Sequence, residues 1–563
     1  MKKLLYKLLL PVTLLSAVSC ESFLDEKNVS GLTSDNYYGT TEGIESLVNS
    51  LYTPMRFWYG KEDGIALTEL GTDIFTRGSG MENPPVALYN SDLSGANVPI
   101  NFYWTRFYAA LNATNAAVAR IPASPLPASQ KLIREGEAKF LRAFYLWHIV
   151  ETWGGVHLAT EETIGVQTIA NRTSVDAFYT QILEDLTFAT ENLPVTSAQY
   201  GRVTKPAAEA FMARMYLYRG NYAEASRLAK KVINEYNFTL VPSYAQLWDV
   251  NNTRNSEAIW IVNFTADLIL NREFDGLTSS PSDDILLRDG GNNAHLFFLM
   301  TYDQLPGMQR DIRYGRPFSR FMPTAYFLDL FDESKDARFN TTFETVWYAN
   351  NPGTFTVTNT DGTQRNVTFQ AGDTAILASK YVVPNAVKNA RPYTIIDRSR
   401  TYDANGAPRV RDRYMSLKKF LDPARQTISQ QQGRRDAFVI RLAEMHLIAA
   451  EADMMLGDAS GGVTYMNAVR RRAALPGQET AMEITADQLT IDFILDERAR
   501  EFGGEQQRWF DLKRTNKLVE RVRAHNPDAA PNIQSFHAVR PIPQAQLDVI
   551  TNPGEFFQNE GYQ

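Results

Sequence analysis

The sequence predicts a mainly α-helical protein, a scaffold of paired helices interrupted by a loop-rich insertion with short strands. Three observations carry this reading. Apolar residues recur at three- and four-residue spacings in the N-terminal half and again beyond residue 434. One helix pair places small and aromatic residues at the offsets of a repeat unit. Between them, from about Trp248 to Gly433, the helical period gives way to short aromatic runs and turns.

The chain opens with Met1-Lys2-Lys3, runs through the apolar stretch Leu8 to Val18, and reaches Cys20 behind Ser16, Ala17 and Ser19. That is the pattern of a signal peptide over residues 1–19. Its apolar run, about eleven residues with Pro11 inside, falls short of the ~20 that a spanning helix needs. Cys20 is the only cysteine in 563 residues, so an exported chain that could use disulfides has none within itself. Ala17-Val18-Ser19-Cys20 resembles a bacterial lipobox, which implies a diacylglycerol on the Cys20 sulfur. Each buried acyl methylene adds ~0.8 kcal/mol of membrane affinity. The acidic run Glu21-Ser22-Phe23-Leu24-Asp25-Glu26 reads as a tether, residues 20–40, whose charge keeps it off the bilayer.

Residues 41–247 are expected to form the helical scaffold. Glu135–Thr152 sets Phe140, Phe144, Trp147 and Val150 on one face and stops at Gly154-Gly155; Ser174 caps a helix carrying Phe178, Ile182, Leu186 and Ala189. In Pro206–Tyr236, Ala213, Tyr216, Gly220, Tyr222, Ala225 and Ala229 fall at the offsets of a tetratricopeptide pair. One such unit cannot bury its own face, so Glu135–Leu193 and Ile440–Ala474 are the expected neighbours, as degenerate repeats. Residues 248–433 form the insertion, with a hairpin predicted where Thr354–Thr358 and Asn366–Phe369 flank Asp361-Gly362. Residues 434–563 return to helix at Asp436–Leu456, Val463–Ala474 and Leu489–Phe502.

A net charge of −7 and a pI near 5.6 give no basic field for nucleic acid. Arg434-Arg435 and Arg470-Arg471-Arg472 adjoin amphipathic helices with interleaved acids, and read as solvated or ion-paired faces. The six histidines are scattered outside any zinc-ligand spacing, Gly78-Ser79-Gly80 is not a nucleophile elbow, and no phosphate loop occurs, so no cofactor or metal is expected. A glycosidase stays open on the residues alone, because its two carboxylates need only be near each other in space and 64 acids supply many pairs.

Several stretches read together resemble the SusD/RagB family of surface glycan-binding lipoproteins. They begin at Cys20–Asp25 and continue at Glu137-Ala138-Lys139-Phe140-Leu141-Arg142-Ala143-Phe144, Trp153-Gly154-Gly155-Val156 and Gly201-Arg202-Val203-Thr204-Lys205-Pro206. Arg441-Leu442-Ala443-Glu444, Asp496-Glu497-Arg498, Arg508-Trp509-Phe510-Asp511, Pro541-Ile542-Pro543 and Gln558-Asn559-Glu560-Gly561-Tyr562 complete the series. His157 and Glu560 stand where the family usually has proline. The resemblance implies a SusD-like fold, capture of an oligosaccharide without turnover, and delivery to a SusC-like TonB-dependent transporter at the outer membrane. Most motif residues read as scaffold: Glu497, Arg498, Arg500 and Glu501 suit ion pairing between helices, and Arg508, Asp511 and Arg514 rim buried Trp509-Phe510.

Sugar binding rests on flat aromatic rings and on Asp, Asn, Arg and Gln side chains in a partly preformed cleft, most often on loops. The family's ligand loops lie near residues 73–102 and 265–320. The candidate contacts are therefore Asp73, Phe75, Arg77, Tyr89, Asn90 and Asn101 in the first, Phe297 and Tyr302 in the second, and Trp58 beside them. Trp104, Phe107 and Tyr108 recur on one helical face and are assigned to packing. A peptide or other nutrient on the same scaffold, a lipid-anchored docking scaffold, and a hydrolase are the competing readings.

Overall fold

Helix caps and breakers set the element boundaries in the computed structural model, which describes residues 34–82, 84–267, 270–271 and 290–562. The signal peptide, Cys20 and most of the tether lie outside the described residues. Helices of seven residues or more are α1 (Thr41–Ser50), α2 (Glu62–Glu69), α3 (Val98–Arg120), α4 (Ala128–Trp153), α5 (Val175–Asn192), α6 (Lys205–Tyr218) and α7 (Tyr222–Glu235). After the insertion come α8 (Leu442–Met455), α9 (Ala459–Arg472), α10 (Ile491–Phe502), α11 (Arg508–Arg514) and α12 (Leu518–His525). The strands are β1 (Phe75–Arg77), β2 (Ala258–Val262), β3 (Phe321–Pro323), β4 (Val346–Tyr348), β5 (Gly353–Thr358), β6 (Gln364–Phe369), β7 (Thr374–Ala378), β8 (Thr394–Ile396) and β9 (Ala437–Arg441).

The predicted helices form for the expected reasons. The Ser174 hydroxyl accepts from the Ala177 amide at 3.2 Å and caps α5, and Gly154, at φ +75, closes α4. Helices α3 to α9 pack in succession, and α7 lies against α8 although the insertion separates them in sequence. Side chains tie that junction: Arg214 on α6 pairs with Glu444 on α8 at 2.6 Å, and Ser226 on α7 donates to Asp453 at 2.6 Å. The fold is mainly α-helical, as the sequence predicts.

One boundary needs correction. Residues 437–441, read as the start of a helix, form β9, which pairs antiparallel with β2 about 180 residues earlier in the chain. The apolar run Ala437-Phe438-Val439-Ile440 is too short for its period to distinguish a strand from a helix turn. The hairpin expected about Asp361-Gly362 forms as β5–β6, with Thr358 opposite Gln364 and Thr354 opposite Thr368.

Arg470-Arg471-Arg472 is ion-paired, whereas Arg435, read as part of a solvated or ion-paired face, is buried and donates to the Trp248 and Leu421 carbonyls at 3.0 and 3.1 Å. Arg470 meets Glu497 at 2.5 Å, Arg471 meets Glu483 at 2.7 Å, and Arg472 meets Glu257 at 2.6 Å. Arg338, fully buried, joins Glu497 at 2.8 Å and Glu501 at 3.0 Å, and Arg498 joins Asp511 at 2.6 Å. Breaking one partner out of such a buried set costs about 3–5 kcal/mol because the other charge is left unpaired, and the pairs of Arg338 with Glu497 and Glu501 and of Glu257 with Arg472 tie residues 257 and 338 to α10 and α9.

Candidate functional site

β1 and β3 are three residues each and lie roughly 245 residues apart in sequence, yet they pair antiparallel with Phe75 opposite Pro323 and Arg77 opposite Phe321. The pairing continues past β1 into Gly78-Ser79-Gly80. The Gly78 amide donates to the Arg320 carbonyl at 2.8 Å, Gly80 to Ser319 at 2.8 Å, and Ser79 to Arg411 at 2.8 Å. Two glycines are needed here because the strands nearly touch. A Cβ on Gly78 would stand 2.2 Å from the Ser319 carbonyl oxygen, and one on Gly80 would stand 2.0 Å from that of Phe318.

The opposite edge of the segment is pinned as well, by amides of Phe318 and Arg320 donating to Leu296 and Phe297 at 3.0 and 2.8 Å. Ser319 is held at φ +52, a conformation L-residues rarely adopt. Its hydroxyl lies 3.0 Å from Ser79 Oγ and 3.2 Å from the Tyr414 hydroxyl. The backbone of residues 318–320 is thus fixed from two sides, which presents the Phe318 side chain half-buried at the surface.

Around Phe318 the surface is cationic. The Arg316 and Arg320 guanidinium carbons lie 5.1 and 5.6 Å from its ring centroid. Arg320 also pairs with Glu62 at 2.9 Å, and Arg316 donates to the Ser429 carbonyl at 2.7 Å. On the β1 side Arg411 donates to the Arg77 carbonyl at 3.0 Å and pairs with Asp528 at 2.7 Å. Burial and the like charge of Arg411 pull the Arg77 guanidinium below its usual range. The group can donate to hydroxyls or to an anion, and it sits at the margin of the same strand pair.

Of the sequence candidates, Arg77 lies in the β1–β3 pair without being fully buried, its guanidinium donating to the Met81 carbonyl at 3.3 Å beside Arg411 and Asp528. Phe75 is buried between Phe298 and Phe327, ring centroids 5.2 Å from each, while Arg77, two residues on at the end of β1, is half-buried. Phe297 packs beneath the rim, 6.2 Å from Phe318, and Tyr302 donates to the Gly315 carbonyl at 2.6 Å from a buried position. Trp58 is buried edge-on to Tyr103 at 4.7 Å and His148 at 5.0 Å. Tyr89 is buried over His537 at 4.9 Å, in the left-handed conformation at φ +49. Asp73 is sealed between Arg508 at 2.6 Å and Arg521 at 2.9 Å. Burial alone would raise its carboxyl, but the two guanidiniums outweigh that and hold it down to about 2. These six are corrected from ligand contacts to packing or ion-pair residues: each loop folds its rings inward under itself, where no ligand can stack on them.

Asn90 is half-buried with its amide donating to Asp92 at 3.1 Å, and Asn101 is exposed in the first turn of α3. Neither is brought to Arg77. The residues missed in sequence are Arg316, Phe318 and Arg320, whose signal is an aromatic flanked by arginine at both second neighbours inside the second candidate region. Among the described residues no group of three or more His, Cys, Asp or Glu is placed to hold a metal ion, and no helix is long and apolar enough to cross a membrane.

The SusD family model matches residues 302–562, and a second, described as starch-binding associating with outer membrane, matches residues 22–217. SusD-like protein P38 of Formosa agariphila is 26% identical over 517 residues, covering 89% of each chain. The starch-binding protein SusD of Bacteroides thetaiotaomicron is 24% identical over 461 residues, 77% of this chain and 74% of that one. Among solved structures, a laminarin binding SusD-like protein superposes with TM-score 0.69 at 22% identity, covering 93% of this chain and all, 100%, of the other. Matches that begin at residue 22 and end at residue 562, on a fold shared with those structures, carry one conclusion: the chain belongs to the SusD/RagB family.

Proposed function

We propose that the protein is a cell-surface glycan-binding lipoprotein, held to the outer membrane through lipid on Cys20, that captures oligosaccharides and passes them to a SusC-like TonB-dependent transporter without cleaving them. The observation that carries the reading is the rim at Phe318, where an aromatic ring and the guanidiniums of Arg316 and Arg320 stand on a backbone hydrogen-bonded from two sides. Preorganised aromatic and hydrogen-bonding groups are what a sugar ring needs, an apolar face to stack on and donors for its hydroxyls. The relatives support the class of ligand: one neighbour is a laminarin binding protein, and another is surface glycan-binding protein A from Bacteroides thetaiotaomicron in complex with laminarihexaose.

The excess of arginine at the rim favours one alternative, a peptide or another nutrient bearing carboxylates. A glycan array run beside a peptide panel with the mature chain separates the two. Binding confined to oligosaccharides, with no reducing sugar released on incubation, is the expected result; binding confined to peptides overturns the glycan reading, and released sugar overturns capture without turnover. Cys20→Ser is expected to leave affinity unchanged while moving the protein out of the membrane fraction.

A further inference from the structure

Residues 157–173 leave the end of α4 and cross the surface as a loop whose backbone is tied down along its length. The Tyr108 hydroxyl donates to the His157 carbonyl at 2.7 Å, and the Asn115 amide donates to the carbonyls of Ala159 and Glu161 at 3.1 and 3.0 Å. The Thr163 amide donates to Asn112 at 2.6 Å, the Thr551 amide donates to the Thr168 carbonyl at 2.8 Å, and the Ala170 amide donates to Asn552 at 3.1 Å. A loop held this firmly could have turned its apolar side chains inward. Instead Val166 is 90% exposed, Ile164 79% and Ile169 64%, with Gly165 forming the tip at φ +73. Phe557, 56% exposed, stands on the adjoining C-terminal segment, its ring 5.3 Å from the Arg172 guanidinium carbon. Several apolar side chains held in water on one tied-down loop mark a surface that something else covers.

The place where the chain enters the fold identifies the occupant. The helix Ser34–Tyr38 opens the described chain, and the Arg120 guanidinium carbon lies 5.7 Å from the Tyr38 ring while its nitrogen pairs with Glu162 at 3.0 Å. Glu162 is two residues from Ile164. The N-terminal segment therefore joins the body beside the apolar loop. Cys20 precedes Ser34 by fourteen residues, a chain that can reach at most about 50 Å.

We propose that Ile164, Val166 and Ile169 seat against the lipid surface to which Cys20 is anchored, as a second and weaker membrane contact that orients the body. This rests on the lipid anchor of the proposed function. The tether makes weak contact sufficient, since a short linker holds the loop at an effective concentration in the millimolar range. The loop's charges do not favour an electrostatic mode, since Glu162 is neutralised by Arg120 and the exposed Glu161 offsets Arg172. The contact is an apolar one that favours zwitterionic lipid.

The test uses the chain from residue 20 onward carrying Cys20→Ser, so that no acyl group contributes, in flotation with phosphatidylethanolamine–phosphatidylcholine vesicles. Weak partition is expected, reduced at least about tenfold when Ile164→Asp, Val166→Asp and Ile169→Asp are combined, raised by Val166→Trp, and not raised by adding phosphatidylglycerol. Circular dichroism and urea unfolding check that each variant folds. Equal partition of parent and triple variant overturns the proposal, and so does loop-dependent dimerisation in sedimentation velocity without vesicle binding. Failure of the anchor reading shows separately, as unmodified Cys20 in the mass of the protein from cells.

Discussion

Gly80 lies against Phe318 so closely that a methyl group on it would stand 2.0 Å from the Phe318 carbonyl oxygen. The contact is backbone to backbone, so neither side can yield by turning a side chain. Gly80→Ala must push residues 318–320 away from β1, at a cost of about 1–3 kcal/mol in stability, and it should weaken ligand binding about tenfold by displacing the ring. Urea unfolding and a binding titration read the two effects; native affinity in a destabilised variant would show that the position of Phe318 is immaterial.

Buried and rim aromatics are expected to behave in opposite ways. Phe75→Ala removes a ring packed between Phe298 and Phe327 and should cost about 3–5 kcal/mol of stability, while the folded fraction binds with native affinity. Arg77→Ala should leave stability within about 0.5 kcal/mol and lower affinity several-fold. Measured dissociation constants beside unfolding midpoints separate these outcomes.

Asp73 is held down to about 2 although it is fully buried, because Arg508 and Arg521 outweigh the burial. A depressed carboxyl contributes stability that is present above its unfolded value near 4 and is lost as pH falls through 2. The contribution is about 2 kcal/mol. Asp73→Asn should cost about 3–5 kcal/mol at neutral pH, because two buried guanidiniums lose their counter-charge, and should flatten the stability profile between pH 4 and 2.

Glu69 behaves in the opposite sense. Burial pushes its carboxyl up to about 8 even though the Gly504 and Gln507 amides donate to it at 3.3 and 3.1 Å. A raised carboxyl gives stability that is complete below its unfolded value near 4.5 and is lost as pH rises through 8. Thermal unfolding midpoints should therefore fall between about pH 4.5 and 8 in the parent and fall less in Glu69→Gln; parallel profiles would count against a protonated Glu69.

Helical parts of the fold were legible because their signals are local. The spacing of Phe140, Phe144 and Trp147, the Ser174 cap and the turn at Gly220 each act within a few residues, and α4, α5 and the α6–α7 pair follow from them. The site was not legible in the same way. β1 meets β3 across roughly 245 residues in strands of three, too short for a period to show. The loops also bury the rings that read as available: Trp58, Phe75, Tyr89, Phe297 and Tyr302 pack under their own segments, while Phe318, next to Phe297 in space, takes the surface. Gly78-Ser79-Gly80, dismissed as a nucleophile, proves to be the pair of glycines that allows the two segments to meet.

The central claim, that the rim at Phe318 binds glycan, is tested most directly by calorimetric titration of an array-selected oligosaccharide into the mature chain and into Phe318→Ala. The account predicts binding by the parent and a loss of about tenfold or more in the variant, at unchanged unfolding midpoint. Equal affinity in the two proteins would contradict it.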